Sequence, residues 1–477
     1  MGGLAIARGS GPYKLAYQLR NHNYTAKVID FVNPSTDRED IIDYFLLEKL
    51  LNKYISKDTL ILGFSMTFWG NPDIELLKKI ISISKKLNSN INILVGGAVT
   101  TYSHFQNLPI PITAIVSGYA ENLIIELMNF YAGKGTEPEF NYSFVPGIKV
   151  YEKTSCDHYN FAECKFKHDL SDNIMPGEAL SIELSRGCIF KCKFCDYQYL
   201  GKKKVDYIRN LEFVKEELEH NYYNYGTLSY TITDSTFNET DEKLKLFADM
   251  VESLPFKPDF NAFMRPDLLY RYPSMIDNIE RANFSGVFFG LESLGRKSSM
   301  LIGKGWNGTT QARNFLAKLA KKWHNKIVIH TNMIVGLPYD TESDIFAYKN
   351  YLHDIGIPSW YFTPLYIRRD LRFATSEFDR NFEIYGFHFK DDKWYHEDGW
   401  TQDLAHAVSM KVNSETIPSR IVPFFWYAPF ITSKTHTIHE LINTHTELLK
   451  WDQFRENQKK FLKDYFNILI NEDTRLQ

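Results

Sequence analysis

Cysteine is scarce in this sequence. Only 5 occur in 477 residues, none before position 156 and none after position 195, so a disulfide framework is not expected and a reducing compartment is. Long apolar runs are also missing: the longest candidates are interrupted by Gly, Ser or Lys before the roughly 20 residues a bilayer needs. Neither charge sign dominates. Lys and Arg total 55 against 58 Asp and Glu, a net charge of -3, which removes the broad electrostatic reason to expect a nucleic-acid partner. There is no internal repeat and no low-complexity tract. The start, Met1-Gly2-Gly3-Leu4-Ala5-Ile6, has neither a basic leader nor the Ser or Thr that myristoylation would need at position 6, so a cytoplasmic protein is expected.

What is present is a large, ordinary globular composition. Apolar residues are 44% and charged residues 24%, enough to bury full cores, and the length suggests about three folding units. Up to about residue 132, short apolar runs alternate with helical patterns. Strands are expected at Leu4–Ala7, Ala26–Phe31, Thr59–Ser65, Ile91–Gly97 and Ala114–Gly118, with a helix over Lys14–Arg20 after the loop Arg8-Gly9-Ser10-Gly11-Pro12. That alternation predicts a doubly wound parallel sheet, whose ligands sit beyond the carboxyl ends of the strands. Those ends carry Gly9, Gly11, Ser65, Gly96, Gly97 and Gly118.

Residues 136–178 lack clear periodicity and read as a linker. A second alternating series follows, with strands expected at Leu180–Ser185, Leu228–Thr233, Phe260–Phe263, Val287–Leu291, Ile327–Val335 and Trp360–Leu365. Helices separate them, at Leu211–Tyr222, Asp241–Leu254, Ser274–Ala282, Thr310–Lys322 and Glu342–Leu352. Six β/α units predict a full or partial α/β barrel with its chemistry at the carboxyl-terminal rim. The expected organisation is therefore 1–135, a ligand-binding α/β domain; 136–178, a linker; 179–368, the barrel; and 369–477, a mainly helical region covering the substrate.

The chemistry is carried by Arg186-Gly187-Cys188-Ile189-Phe190-Lys191-Cys192-Lys193-Phe194-Cys195, directly after the first barrel strand. Three thiolates in one short loop can hold three corners of a cubane 4Fe-4S cluster and leave the fourth iron open. A structural zinc site would need a second pair of ligands at matching spacing, which Cys156 and Cys164 do not provide. The bland alternative is three buried thiols without a metal, against which stands the avoidance of cysteine elsewhere.

This loop resembles that of the radical S-adenosylmethionine (SAM) superfamily, with Phe194 at the family's aromatic position. Further segments fall in family order: Asp234-Ser235-Thr236-Phe237-Asn238, Arg265-Pro266-Asp267, Gly290-Leu291-Glu292-Ser293, Lys304-Gly305 and Ile334-Val335-Gly336-Leu337-Pro338. The resemblance implies a cluster on Cys188, Cys192 and Cys195, SAM on the open iron, and SAM-side roles for Phe194, Asp234, Glu292 and Gly336, the last through close backbone approach to adenine. It also implies an external electron donor such as flavodoxin or ferredoxin. The first domain is similar to the cobalamin-binding domains found ahead of such barrels. By that likeness Gly11, Ser65, Thr67, Gly96, Gly97, Gly118 and Glu121 would contact cobalamin, with no histidine in the loop after the first strand to supply a lower ligand.

The expectation is a cobalamin-dependent radical SAM enzyme, a methyltransferase acting on an unactivated carbon through a 5′-deoxyadenosyl radical and methylcobalamin. Non-methylating chemistry such as ring contraction or cyclisation, with or without cobalamin, stays open. So does a SAM- or cobalamin-binding sensor or docking module. The expected substrate is a small molecule, lipid or peptide. A second cluster of the methylthiotransferase kind is not expected, because the first 155 residues have no cysteine. His436, His439, Glu440 and His445 do not form a His-Glu-x-x-His pattern and read as a solvated helix face; Lys202–Lys204 read as an exposed turn. The aromatic segments Trp360–Phe362 and Phe424–Tyr427 read as core or as a substrate lid.

Overall fold

The computed structural model describes residues 9–29, 44–66, 74–97, 111–142, 148–153, 155–195, 208–305, 310–357, 359–368, 376–415 and 464–471. The expected strand Leu4–Ala7, Thr67, Lys202–Lys204, Phe424–Tyr427 and His436–His445 lie outside them.

The first sheet holds β1 (Ile61–Met66), β2 (Asn92–Gly97), β3 (Ala114–Gly118), β4 (Asn141–Tyr142) and β5 (Lys149–Lys153), in the spatial order β1-β2-β3-β5-β4. All neighbours are parallel except β4 with β5. Helices cover both faces, as a doubly wound sheet requires. On one face Leu47, Leu51, Leu77 and Ile81 pack against Ile93, Val95, Ile115 and Val150. On the other, Leu123 and Leu127 of the helix Glu121–Tyr131 pack against Leu94, Ala114 and Tyr151.

Three sequence expectations change here. Part of the expected linker belongs to this sheet, since β4 and β5 fall inside 136–178; two and five residues are too short for a period-two pattern to stand out. Where described, the expected strand Ala26–Phe31 has no ladder partner, and side chains hold it instead: Arg20 donates to the Ala26 carbonyl at 2.8 Å and Lys27 to the Ser171 carbonyl at 2.5 Å. The first helix, Ser10–Asn21, takes Gly11 and Pro12 into its first turn, where Pro is tolerated because its N–H has no helical partner anyway.

The second sheet has six parallel strands in chain order: β6 (Leu180–Ile182), β7 (Ser229–Ile232), β8 (Asp259–Met264), β9 (Phe284–Glu292), β10 (Val328–Val335) and β11 (Ser359–Pro364). Each expected barrel strand is present within a few residues. So are the five helices, at Leu211–Tyr225, Asp241–Glu252, Ser274–Arg281, Thr310–Trp323 and Glu342–Asp354. Side-chain caps mark several starts: Asn210 accepts from the Glu212 amide, Thr240 from Lys243, and Thr341 forms a reciprocal box with Asp344. The helices lay Leu218, Phe247, Ile279, Leu316 and Ile345 onto Ile182, Ile232, Phe260, Val287, Met333 and Phe362 in one continuous core.

The barrel stays partial. At the β11 edge the helix Gln402–Ser414 covers the strand: Asn413 accepts from the Phe362 amide at 3.1 Å and donates to its carbonyl at 2.8 Å, and Ser409 donates to the same carbonyl. The C-terminal region also contains a hairpin, β12 (Phe387–Lys390) and β13 (Lys393–His396), where helix was expected to predominate. The helix 464–471 packs on the first domain, with Tyr465, Phe466 and Leu469 around Leu50 and Lys53 donating to the Leu469 and Ile470 carbonyls. The last described segment thus braces the first domain, although the sequence reading places it within a substrate cover.

Candidate active site at the barrel rim

The three cysteines sit in the loop leaving β6, and neighbouring elements fix that loop at four places. Asp234, after β7, accepts from the Leu184 and Ser185 amides at 2.8 and 2.9 Å and from the Ser185 hydroxyl at 2.8 Å. The Arg209 amide donates to the Leu184 carbonyl, the Lys193 amide to the Ile302 carbonyl, and the Phe378 amide to the Lys193 carbonyl. Gly187 adopts φ +82°, a conformation that would strain any other residue type.

Asp234, expected on the cofactor side, has a structural partner set of its own. It is fully buried and also accepts from Lys243 Nζ at 2.8 Å, while Lys243 reaches Ser185 and Glu239. With four donors on two oxygens it anchors the loop.

Around the sulfurs the groups are polar and directed. Cys192 is buried; Arg265 Nη1 donates toward its Sγ at 3.4 Å, and the Thr236 hydroxyl is 3.5 Å from the Cys188 sulfur. Burial pushes the Cys188 thiol above its ordinary value, partly offset by Thr236 and the Phe190 backbone. Iron binds the thiolate, so a bound metal would counter that effect of burial. Among the described residues no three His, Cys, Asp or Glu side chains gather about one point as a single metal ion needs. A cubane presents its irons at separate corners, so its thiolates need not converge. Phe190 and Phe194 pack on the barrel core, and the Arg265 guanidinium lies 4.1 Å from the Phe190 ring centroid.

From the cysteine loop a chain of polar side chains runs along the carboxyl-terminal rim. Arg265 grips Asp267 through Nε at 3.1 Å and Nη2 at 2.8 Å. Lys304 pairs with Glu292 at 3.2 Å and donates to the Gly290 carbonyl at 3.0 Å. Asn332 reaches Glu292 Oε2 at 3.5 Å and accepts from Thr363 at 3.0 Å. Glu292 has φ +66°, rare for a residue with a side chain, and a register break with β10 falls beside it. Strain and a bulge at a strand end re-aim a side chain. Burial opposes the Lys304 charge, yet Glu292 and Cys192 beside it hold the ammonium above the ordinary lysine range. Arg265, Thr236 and Lys304 were visible only as parts of motifs; their sequence neighbours do not reveal that they meet at the rim.

Gly336, expected beside adenine, has a packing reason for being glycine. With φ +98°, a Cβ there would lie 3.0 Å from both Trp394 Cη2 and the Ala405 methyl.

In the first domain, Gly96, Gly97 and Gly118 do lie at strand ends, with positive φ at Gly97 (+116°) and Gly118 (+89°). Ser65 is exposed at the end of β1. Gly11 lies within a helix and not in an open loop. Ser117 Oγ and Glu121 Oε2 are buried with no hydrogen-bond partner among the described residues. The other oxygen of Glu121 pairs with Arg186 at 2.8 Å, so the first domain touches the cysteine loop directly.

Comparisons with known proteins find a family model over the barrel and similar folds over nearly the whole chain. Residues 182–352 match the family model described as the radical SAM superfamily. A Methanocaldococcus jannaschii protein described as a methylthiotransferase is 24% identical over 289 residues, 58% of this chain and 61% of the relative, so the chain matches less than two thirds of that relative's length. The radical SAM methyltransferase TsrM from Kitasatospora setae, with tryptophan substrate and a SAM analogue bound, is similar over 95% of this chain and 97% of its own, with TM-score 0.63 and 15% identity. The same enzyme with cobalamin and a 4Fe-4S cluster bound is similar at TM-score 0.59, 14% identity and coverage of 97% and 96%. The cobalamin-dependent radical enzyme OxsB with aqua-cobalamin bound covers 96% of this chain and 69% of its own, with TM-score 0.56 and 14% identity. At such identities the likeness is one of fold, and it extends through both α/β domains.

Proposed function

We propose, on the premise that residues 182–352 are a radical SAM domain, that this protein is an enzyme that uses a 4Fe-4S cluster, SAM and cobalamin to methylate an unactivated carbon. One observation carries the reading: a three-cysteine loop clamped at the barrel rim is linked through Lys304 to a strained, buried Glu292 and through Arg186 to the first domain.

The residues present fit the groups. Cys188, Cys192 and Cys195 would hold the cluster, with the Arg265 N–H and the Thr236 hydroxyl hydrogen-bonding to sulfur. Glu292, paired through one oxygen to Lys304 and through the other to Asn332, keeps acceptor capacity for an ammonium group such as that of SAM. The buried, unpartnered Ser117 hydroxyl and Glu121 oxygen, with the Gly96-Gly97 and Gly118 strand ends, are what a large ligand with amide side chains would satisfy. When bound, the cluster and SAM supply radical chemistry and the cobalamin a transferable methyl group. The chain's own part is to hold these groups apart at fixed distance, orient the substrate and exclude water. An external donor such as flavodoxin or ferredoxin would supply electrons, and the substrate would be a small molecule, lipid or peptide.

The test is anaerobic reconstitution of the full chain with iron, sulfide and hydroxocobalamin, read by absorption and electron paramagnetic resonance. A cluster with stoichiometric cobalamin, and reductive SAM cleavage that disappears when Cys188, Cys192 and Cys195 are all changed to Ala, is the expected result. Cleavage surviving at the wild-type rate in that variant would overturn the cluster assignment. A cluster without retained cobalamin would overturn the methyl-transfer step and favour chemistry from the SAM-derived radical alone.

A further inference from the structure

The two α/β domains meet at a closed group of four charges. Glu183 directly follows β6, and Arg186 lies two residues before Cys188. Arg186 holds Glu183 in a two-pronged contact, Nε to Oε1 at 2.8 Å and Nη2 to Oε2 at 2.9 Å, and its third nitrogen pairs with Glu121 at 2.8 Å. Lys14, in the helix Ser10–Asn21, closes the set onto Glu183 at 2.5 Å. Two cations meet two carboxylates, with side chains between 3% and 16% exposed. Aromatic rings wall the group: the guanidinium carbon is 5.2 Å from the Tyr119 ring centroid and 4.9 Å from that of Phe161, and Lys14 Nζ is 5.4 Å from the latter.

A buried ion group of this kind contributes little net stability, because desolvation offsets most of the attraction and apolar packing would serve as well. What it supplies is geometry. A planar guanidinium gripped on two edges fixes orientation as well as distance. The two first-domain attachments come from different elements, Lys14 mid-helix and Glu121 at the residue that starts the helix after β3, so one span of four residues, 183–186, locks the domain at two points.

We propose that the Arg186–Glu183–Glu121–Lys14 group is the positioning element that sets how the first domain faces the cysteine loop. Resting on the function proposed above, it also sets the separation between a ligand at the carboxyl end of β3 and the cluster. Arg186 is in this account a positioning residue, and Glu121 acts through it.

The test uses the full chain with its cluster reconstituted and no cobalamin added, so that a failure to bind cobalamin and a failure of this proposal are separate results. Hydrogen exchange and small-angle scattering are compared for wild type, Glu121→Gln, Lys14→Met and Arg186→Lys. In all three variants, exchange in residues 10–21, 119–124 and 183–186 is expected to rise by about tenfold or more, about 1.4 kcal/mol of local opening. Strands β8–β10 keep wild-type protection, iron content in Glu121→Gln and Lys14→Met is unchanged, and the scattering curve shifts to a looser particle. Lysine at 186 does not rescue, because a point charge cannot replace the fork. Unchanged exchange at these segments in Glu121→Gln and Lys14→Met overturns the proposal. So does a rise spread evenly over the barrel, which would mean general destabilisation without a positioning role.

Discussion

Replacing Asp234 separates two accounts of the residue that follows β7. If it anchors the loop, Asp234→Asn must loosen residues 183–188 even when nothing is bound. Asparagine keeps one oxygen for the Leu184 and Ser185 amides but turns an NH2 toward Lys243 Nζ and the Ser185 hydroxyl, which now donate to Asp234 Oδ2 at 2.8 Å each. Lys243, 5% exposed, is left with Glu239 at 3.3 Å as its carboxylate partner. Breaking a buried pair in this way costs about 3–5 kcal/mol when no partner remains. With Glu239 still present, about 2–3 kcal/mol is the expected loss. Asp234→Ala also orphans two backbone donors, at about 1–3 kcal/mol each, and since these costs overlap the total is about 4 kcal/mol or more. A chain of several domains does not unfold in one step, so the assay is local: exchange of the Leu184 and Ser185 amides, expected about 30- to 150-fold faster in Asp234→Asn. Exchange within about threefold of wild type, with SAM affinity alone reduced, would refute the anchoring argument and return Asp234 to the cofactor.

Other consequences are as direct. Asp172 is buried, and although burial alone would raise its carboxyl, His168 and Arg20 hold it down at about 2. The depressed folded value means that its contribution, about 2 kcal/mol, is complete above about pH 4 and is lost as pH falls toward 2. Hydrogen exchange of residues 168–173, corrected for intrinsic rates and compared between wild type and Asp172→Asn from pH 7 to 2.5, should show protection that converges on acidification; a constant difference would contradict this. Gly290→Ala places a Cβ 2.5 Å from Glu292 Oε1 and 3.0 Å from Lys304 Nζ, so the pair must move, and titration calorimetry should show SAM binding about tenfold weaker. An unchanged dissociation constant would remove the Glu292–Lys304 pair from the SAM site. Gly336→Ala meets Trp394 and Ala405 at 3.0 Å with a left-handed backbone, a cost of about 1–3 kcal/mol; hydrogen exchange in residues 387–396 equal to wild type would show that the hairpin yields freely.

The two α/β domains were legible because each depends on local periodicity. Apolar runs of strand length alternate with helical spacing, and the helix starts expected from that spacing at Leu211, Asp241 and Glu342 are the observed ones. The three-cysteine loop was legible for a different reason: its three thiols lie within eight residues, so the group that would share one cluster is visible as a single motif. Glu292 came with a motif. Short or side-chain-held elements failed the same test. β4 and β5 carry too few residues to show a period, residues 26–29 join no ladder, and β12–β13 interrupts a region of helical pattern.

The sequence by itself determined the order of the strands and helices of the barrel and the grouping of three thiols in one short loop, since both are encoded between near neighbours in the chain. Tertiary structure alone decided which polar groups meet. Asp234 is 49 residues from Ser185, Arg265 is 73 from Cys192, and Lys14 is 169 from Glu183, yet each pair is in contact. A carboxylate after a strand can bind a cofactor, cap a loop or close an ion group, and its residue type is the same in all three. What distinguishes them is which donors the fold packs against it in a space that excludes water, and no local pattern records that.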